Sequence, residues 1–185
     1  MGKKLQGHTL IDLIQREKAK TIAEVGIHKG RTIKRVLRVV HEKIEEYWAI
    51  DPWCYLGNEY GGKMGNASQE DWDEIFFSVS KLTSFFPRLH IIRATSEKVA
   101  KTMFPDKFFD LVFIDADHRY EAVKEDIKLW YPKVKINGLL TGHDYGARKT
   151  FGVKQAVDEI FGKPDEVYPE TYVWVKRKKN ETLLS

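Results

Sequence analysis

Phe109-Asp110-Leu111-Val112-Phe113-Ile114-Asp115-Ala116-Asp117-His118 is the stretch on which the fold turns. Leu111 to Ile114 is an uninterrupted apolar run, and with Phe109 it reads as a central parallel strand buried on both faces. The run stops at Asp115, followed closely by Asp117 and His118. Three other strand-like runs end in the same way. Thr21-Ile22-Ala23-Glu24-Val25 leads into Gly26, Tyr47-Trp48-Ala49-Ile50 into Asp51, and Gly138-Leu139-Leu140-Thr141-Gly142 into His143-Asp144. Ligands of open parallel α/β sheets bind beyond the carboxyl ends of the strands. Four unlinked segments would therefore bring a glycine turn, carboxylates and imidazoles to one rim.

Helical periodicity separates these runs. Leu10, Ile11, Leu13 and Ile14 predict an amphipathic helix within residues 1–19, starting near His8 or Thr9. Ile33, Val36, Leu37 and Val40 predict a second helix after Gly30. Trp72, Ile75, Phe76 and Val79 predict a third from about Gln69 to Phe85. Shorter helices are expected from Ser96 to about Met103, from Tyr120 to Trp130 and from Val153 to Phe161, with strands at Leu89–Arg93 and Ile136–Thr141. An antiparallel pair near Glu166–Tyr168 and Thr171–Lys176 follows. The expected fold class is α/β: a three-layer α/β/α sandwich around a Rossmann-like, mostly parallel seven-stranded sheet with a C-terminal antiparallel hairpin.

The 185 residues, 42% hydrophobic and 31% charged, are expected to form a single globular domain spanning 1–185. The net charge of +4 is mild, and no basic groove interleaved with aromatics points to nucleic acid. Lys176-Arg177-Lys178-Lys179 reads as the start of a solvated basic tail over 176–185. Lone Cys54 excludes an intramolecular disulfide and fits a reducing compartment. No apolar signal core follows Met1-Gly2-Lys3-Lys4, and no run has the length of a membrane span, so a cytoplasmic protein without a membrane partner is expected.

Glu24-Val25-Gly26-Ile27-His28-Lys29-Gly30-Arg31-Thr32 reads as acid-x-Gly-x-x-x-Gly-x-Thr between a strand and a helix. The glycines let the backbone turn sharply against a ligand. At the end of the next strand, the Asp51 carboxylate can accept both hydroxyls of a ribose. Spacing alone admits NAD or S-adenosylmethionine. Ile27-His28 breaks the dinucleotide fingerprint, whose pyrophosphate wants bare backbone at the helix start; a methionine moiety tolerates sparser glycines. Glu24 has an alternative partner in Lys20 or Lys29, and Trp53 either stacks on a base or packs under the glycine-rich loop.

The ordered set resembles the class I S-adenosylmethionine-dependent methyltransferases from about Ile22 to Val175. Glu24, Gly26 and Gly30 resemble their first motif, and Thr32 closes it. Asp51 is similar to the acid that holds the cofactor ribose, and Ala94-Thr95-Ser96-Glu97 falls where that family places the loop edging adenine. The resemblance implies S-adenosyl-L-methionine as cofactor, with Trp53, Ser96 and Asp115 also at its site.

Asp115 and the His143-Asp144 dipeptide end sequential strands and can converge on one divalent ion. Two carboxylates and one imidazole suit Mg²⁺, Mn²⁺ or another transition metal such as Fe²⁺ or Zn²⁺. These segments resemble the metal-dependent O-methyltransferases, in which Phe113-Ile114-Asp115-Ala116-Asp117-His118 matches the fourth-strand motif. His143 stands where that group commonly carries Asp. The implied reaction is in-line attack of a metal-activated hydroxyl on the sulfonium methyl group. His118 or Asp117 would be the base, with the imidazole preferred because it titrates near working pH. Each has a plainer role too: Asp117 as a helix cap, His118 as a solvated first-turn residue, Asp144 as a brace for the Gly146 loop.

Gly57, Gly61, Gly62 and Gly65, with Tyr55 and Tyr60, make residues 54–68 a candidate lid over this rim. Tyr145 to Phe151, with Arg148 and Lys149, is a second candidate wall. The expected acceptor is a small hydroxylated molecule, with a homo-oligomer completing the site as a further expectation. A metal-independent methyltransferase on N, S or a macromolecule is the alternative, and a metal-dependent hydrolase or nucleotide-binding module is the third reading.

Overall fold

A computed structural model of the protein describes residues 4–54, 67–148 and 150–179. In chain order its elements are α1 (Gln6–Glu17), β1 (Thr21–Val25), α2 (Arg31–Val40), β2 (Glu46–Asp51), α3 (Gln69–Ser80), β3 (Leu89–Arg93), α4 (Ser96–Thr102), β4 (Phe109–Ile114), α5 (Tyr120–Trp130), β5 (Val134–Gly142), α6 (Val153–Phe161), β6 (Glu166–Tyr168) and β7 (Val173–Arg177). The seven strands form one sheet in the order β3-β2-β1-β4-β5-β7-β6. The five strands from β3 to β5 are parallel, whereas β7 is antiparallel to both β5 and β6.

Chain direction across the sheet reverses between β1 and β4. The connections after them leave toward opposite edges, which opens a crevice at their carboxyl ends. Alternation along β1 feeds both layers. Ile22 joins a core with α1 and α2, while Ala23 and Val25 join the core under α4, α5 and α6. Leu111 and Phe113 face the first layer, Val112 and Ile114 the second. This two-sided burial is why the Leu111–Ile114 run carries no polar residue.

Four expectations need correction. The first helix begins at Gln6, because Thr9 is no cap: it is fully buried and its hydroxyl bonds Thr171 Oγ1 at 2.8 Å. The third helix stops at Ser80 and tightens into a 3₁₀ turn over Lys81–Ser84. Of its apolar side chains only Val79 is fully buried; Trp72, Ile75 and Phe76 pack at the margin of the core. The basic tail begins later than expected. Lys176 and Arg177 belong to β7, and Lys178 is 1% exposed. Its ammonium donates to the carbonyls of Tyr131, Pro132 and Val134 at 3.1, 3.0 and 2.9 Å. Carbonyls just beyond a helix end lack intrahelical partners, and a buried lysine satisfies them here. Residues 180–185 of the tail and residues 55–66 of the candidate lid lie outside the described residues.

Candidate functional site

The glycine turn rests on backbone conformation and on one carboxylate that gathers its N–H groups. Gly26 has φ 91°, and a Cβ placed there would lie 2.6 Å from Ala116 Cα, at the start of the loop after β4. Only glycine lets β1 and β4 end this close together. Gly26 N–H donates to Ile50 O at 2.9 Å, and Asp115 N–H to Val25 O at 2.7 Å, tying the ends of three strands. Gly30, with φ 67°, is the N-cap of α2 and brings no side chain to that helix end. His28 also takes a left-handed conformation, φ 50°.

Asp51 locks this turn. Its Oδ2 accepts from the backbone of Ile27 and His28 at 2.8 and 2.9 Å, and its Oδ1 from Trp53 N–H at 2.8 Å. Trp53 is fully buried: its indole donates to His28 O at 2.9 Å, and its ring centroid lies 5.3 Å from that of Phe76. A ring with no accessible surface does not stack on a ligand, so the base-stacking role expected for Trp53 is corrected to a support beneath the turn. Glu24 pairs with neither expected lysine. It is 1% exposed and accepts the Tyr47 hydroxyl. Burial lifts its pKa to about 8, reinforced by the Asp115 and Asp51 charges and opposed by Tyr47.

A cavity of about 740 Å³ lies over these strand ends, within the size range of small-ligand sites. Among the expected residues, Glu24, Gly26, Thr32, Asp51, Ser96, Asp115, Asp117 and His118 line it, whereas Gly30, Trp53, His143 and Asp144 do not. Sequence reasoning missed Gln6, Arg31, Trp72 and Asp126 on its wall. Asp126 left a signal, as an acid inside the apolar stripe Val123, Ile127, Trp130. Gln6 left none, since nothing in α1 marks the residue that reaches Asp115 Oδ2 at 3.2 Å.

At the chemical edge, β4 and β5 deliver one cluster. His143 Nδ1 lies 3.3 Å from Asp115 Oδ1 and 3.1 Å from Asp144 Oδ2. His118 Nε2 lies 3.2 Å from the same Asp144 oxygen. Burial disfavours charge on His143, but the two carboxylates outweigh it and lift its pKa to about 10. Asp144 is held low because His143 overrides the opposing effect of its burial. Its backbone takes a left-handed conformation, φ 61°. The expected metal set was Asp115, His143 and Asp144. The residues that present ligand atoms within 4.8 Å of one another are Asp115, His118 and Asp144. His143 lies between the two carboxylates, which favour its charged form, and it is not part of that set. Asp117 is committed elsewhere: it accepts from Arg119 N at 2.9 Å and Arg119 Nε at 2.7 Å, bracing the entry to α5.

Comparison with known proteins agrees with this architecture. The fold is that of the class I S-adenosylmethionine-dependent methyltransferases. The chain belongs to a methyltransferase domain family, whose profile matches residues 23–145. A curated relative, uncharacterized protein R132 of Acanthamoeba polyphaga mimivirus, is 24% identical over 137 residues, covering 68% of this chain. The chain spans about half of that relative's length, 51%. Among solved structures, SAH-bound methyltransferase PaMTH1 of Podospora anserina superposes with TM-score 0.64 at 19% identity, covering 97% of this chain and 80% of its own. The O-methyltransferase NovP gives 0.61 at 17% identity, with 95% and 78% covered. Spermidine synthase from Thermotoga maritima gives 0.58 at 16% identity, with 97% and 60% covered. At these identities the three likenesses are of fold. Among the described residues, no helix is long and apolar enough to cross a membrane.

Proposed function

We propose that the protein transfers a methyl group from S-adenosyl-L-methionine to a hydroxyl of a small molecule, with a divalent ion held by Asp115, His118 and Asp144. The observation that carries this reading is the convergence of those three ligand atoms at the edge of the cavity that the glycine turn opens. Two carboxylates and an imidazole suit Mn²⁺ and related ions, and Mg²⁺ less well. When bound, the cofactor supplies an electrophilic methyl group, and the ion a charge that acidifies a neighbouring hydroxyl.

The chain's own residues do the rest. Glu24, Gly26, Thr32 and Asp51 line the cofactor side and hold it rigid, so little reorganisation accompanies binding. Asp115, which lines the cavity and joins the ion's donor set, links the two halves. With the His118 ring at the ion and Asp117 bonded to Arg119, solvent water would take the acceptor proton in this reading.

A second reading has one observation in its favour: the cationic His143 already neutralises Asp115 and Asp144. In that case no ion is needed, and His118 acts as the base, oriented by Asp144 as in other His–carboxylate pairs. Methyl transfer measured against a panel of phenols, sugars and amines, with and without EDTA, separates the two. The first reading expects at least a tenfold fall in chelator and recovery with Mn²⁺. Undiminished transfer in EDTA selects the second. If calorimetry detects no binding of S-adenosylmethionine or S-adenosylhomocysteine, both fail.

A further inference from the structure

Beside His118, residues 144–148 and 150–152, which follow β5, form a wall that is fastened at both ends. Tyr145 N–H donates to Tyr172 O at 3.0 Å, and the Tyr145 hydroxyl to Asp158 Oδ1 at 2.6 Å. At the other end, Gly152 N–H donates to His118 O at 2.8 Å. A Cβ at Gly152 would lie 2.3 Å from Tyr120 N, so this backbone rests directly against the start of α5. The half-buried Phe151 ring is thereby set with its centroid 4.5 Å from that of His118.

Arg148 stands over the same ring, its Cζ 5.3 Å from the Phe151 centroid. A guanidinium over an aromatic face keeps N–H donors at its edge for another partner. Arg148 is exposed, and among the described residues no hydrogen bond or ion pair engages its guanidinium. It is nevertheless close to the chemical edge. Burial opposes charge on Asp144, and His143 foremost, then His118 and Arg148, hold it ionised. Phe151 therefore carries the candidate base or metal ligand at one contact and a cation without a partner at the other.

We propose that Arg148 determines acceptor specificity, taking the carboxylate of a hydroxylated aromatic acid whose ring lies along Phe151 and whose hydroxyl reaches His118. This rests on methyl transfer to a hydroxyl at that edge. The aromatic wall suits a flat ring in offset contact. One planar guanidinium meets one carboxylate through two parallel N–H···O bonds. A single negative charge also adds less repulsion beside Asp115 and Asp144 than a phosphate dianion would.

The experiment compares 3,4-dihydroxybenzoate with its neutral analogue 3,4-dihydroxybenzamide, on the full chain and on Arg148→Gln. Methyl transfer is followed by kinetics, and acceptor binding by calorimetry with saturating S-adenosylhomocysteine. The wild type is expected to prefer the acid by about tenfold or more in both measurements. The variant should narrow that preference below about threefold, with the loss for the acid lying in KM rather than kcat. Equal wild-type use of acid and amide overturns the assignment. So does an equal loss for both in the variant, which would mean that Arg148 acts only through the charge of Asp144. If S-adenosylhomocysteine binds but neither arene binds or reacts, the assignment fails and the cofactor reading stands. If S-adenosylhomocysteine does not bind, the cofactor reading itself fails and this assignment with it.

Discussion

The glycine turn and the histidine–carboxylate edge adjoin one cavity, yet one is built on backbone conformation and backbone N–H groups, the other on contacts between charged side chains. In the turn, Gly26, Gly30 and His28 adopt left-handed conformations, and the Asp51 carboxylate accepts three backbone N–H groups. Across the cavity, His143 and His118 share the Asp144 oxygen, and a ring rotation or a bound ion would redistribute every contact. The lesson is that the cofactor side is shaped before a ligand arrives, while the chemical side is poised to rearrange. Backbone-built sites tolerate substitution least, because the main chain has nowhere to go.

The largest expected effect follows from that rigidity. Gly26→Ala would place a methyl group 2.6 Å from Ala116 Cα at a φ of 91°, where alanine is strained. A loss of about 3 kcal/mol or more in denaturant stability is expected, together with loss of S-adenosylhomocysteine binding. Normal stability would show that β1 and β4 can separate, and the contrast between the two sides would collapse. Next comes Asp144→Ala, which removes the carboxylate shared by both imidazoles. Methyl transfer should fall about a hundredfold while cofactor affinity changes less than about threefold. A matching loss of cofactor affinity would show that the two sides are one coupled unit. Asp51→Ala should do the reverse. Loss of three backbone hydrogen bonds should cost about 1–3 kcal/mol of stability and weaken S-adenosylhomocysteine at least tenfold by calorimetry. Turnover at saturating cofactor should stay near that of the wild type.

The same contrast explains what the amino-acid pattern revealed. Thr21–Val25, Leu89–Arg93 and the Tyr120–Trp130 and Val153–Phe161 helices coincide with their predicted bounds, because period and burial alone determine them. The strand ends followed from topology, which is why Gly26, Asp51, Asp115 and Asp144 were legible as a rim. That the His118 ring comes within reach of both Asp115 and Asp144 was not legible, since ring orientation depends on the register of β4 against β5 and on carboxylates that are distant in sequence. Lys178 was misplaced, and Trp53 was left open between stacking and packing, for a related reason. An aromatic beside a glycine-rich stretch and a lysine in a basic run both look exposed, and depth becomes visible only when Phe76 or the end of α5 is known.

The smallest effect concerns Glu24, a fully buried carboxyl group of the cofactor side. Its folded pKa of about 8 lies above the unfolded value of 4.5, because burial outweighs the Tyr47 hydrogen bond. The folded chain therefore holds a proton on Glu24 between these values that the unfolded chain releases. Stability from this group is complete below about pH 4.5 and is lost as pH rises through about 8. Glu24→Gln keeps the acceptor for Tyr47 but has no proton to lose. Urea denaturation from pH 5 to pH 9 should show the wild type losing stability relative to the variant, by about 1 kcal/mol or more. Parallel curves would mean that Glu24 is ionised in the folded chain, with a charge partner on the cavity side that the Tyr47 contact does not provide.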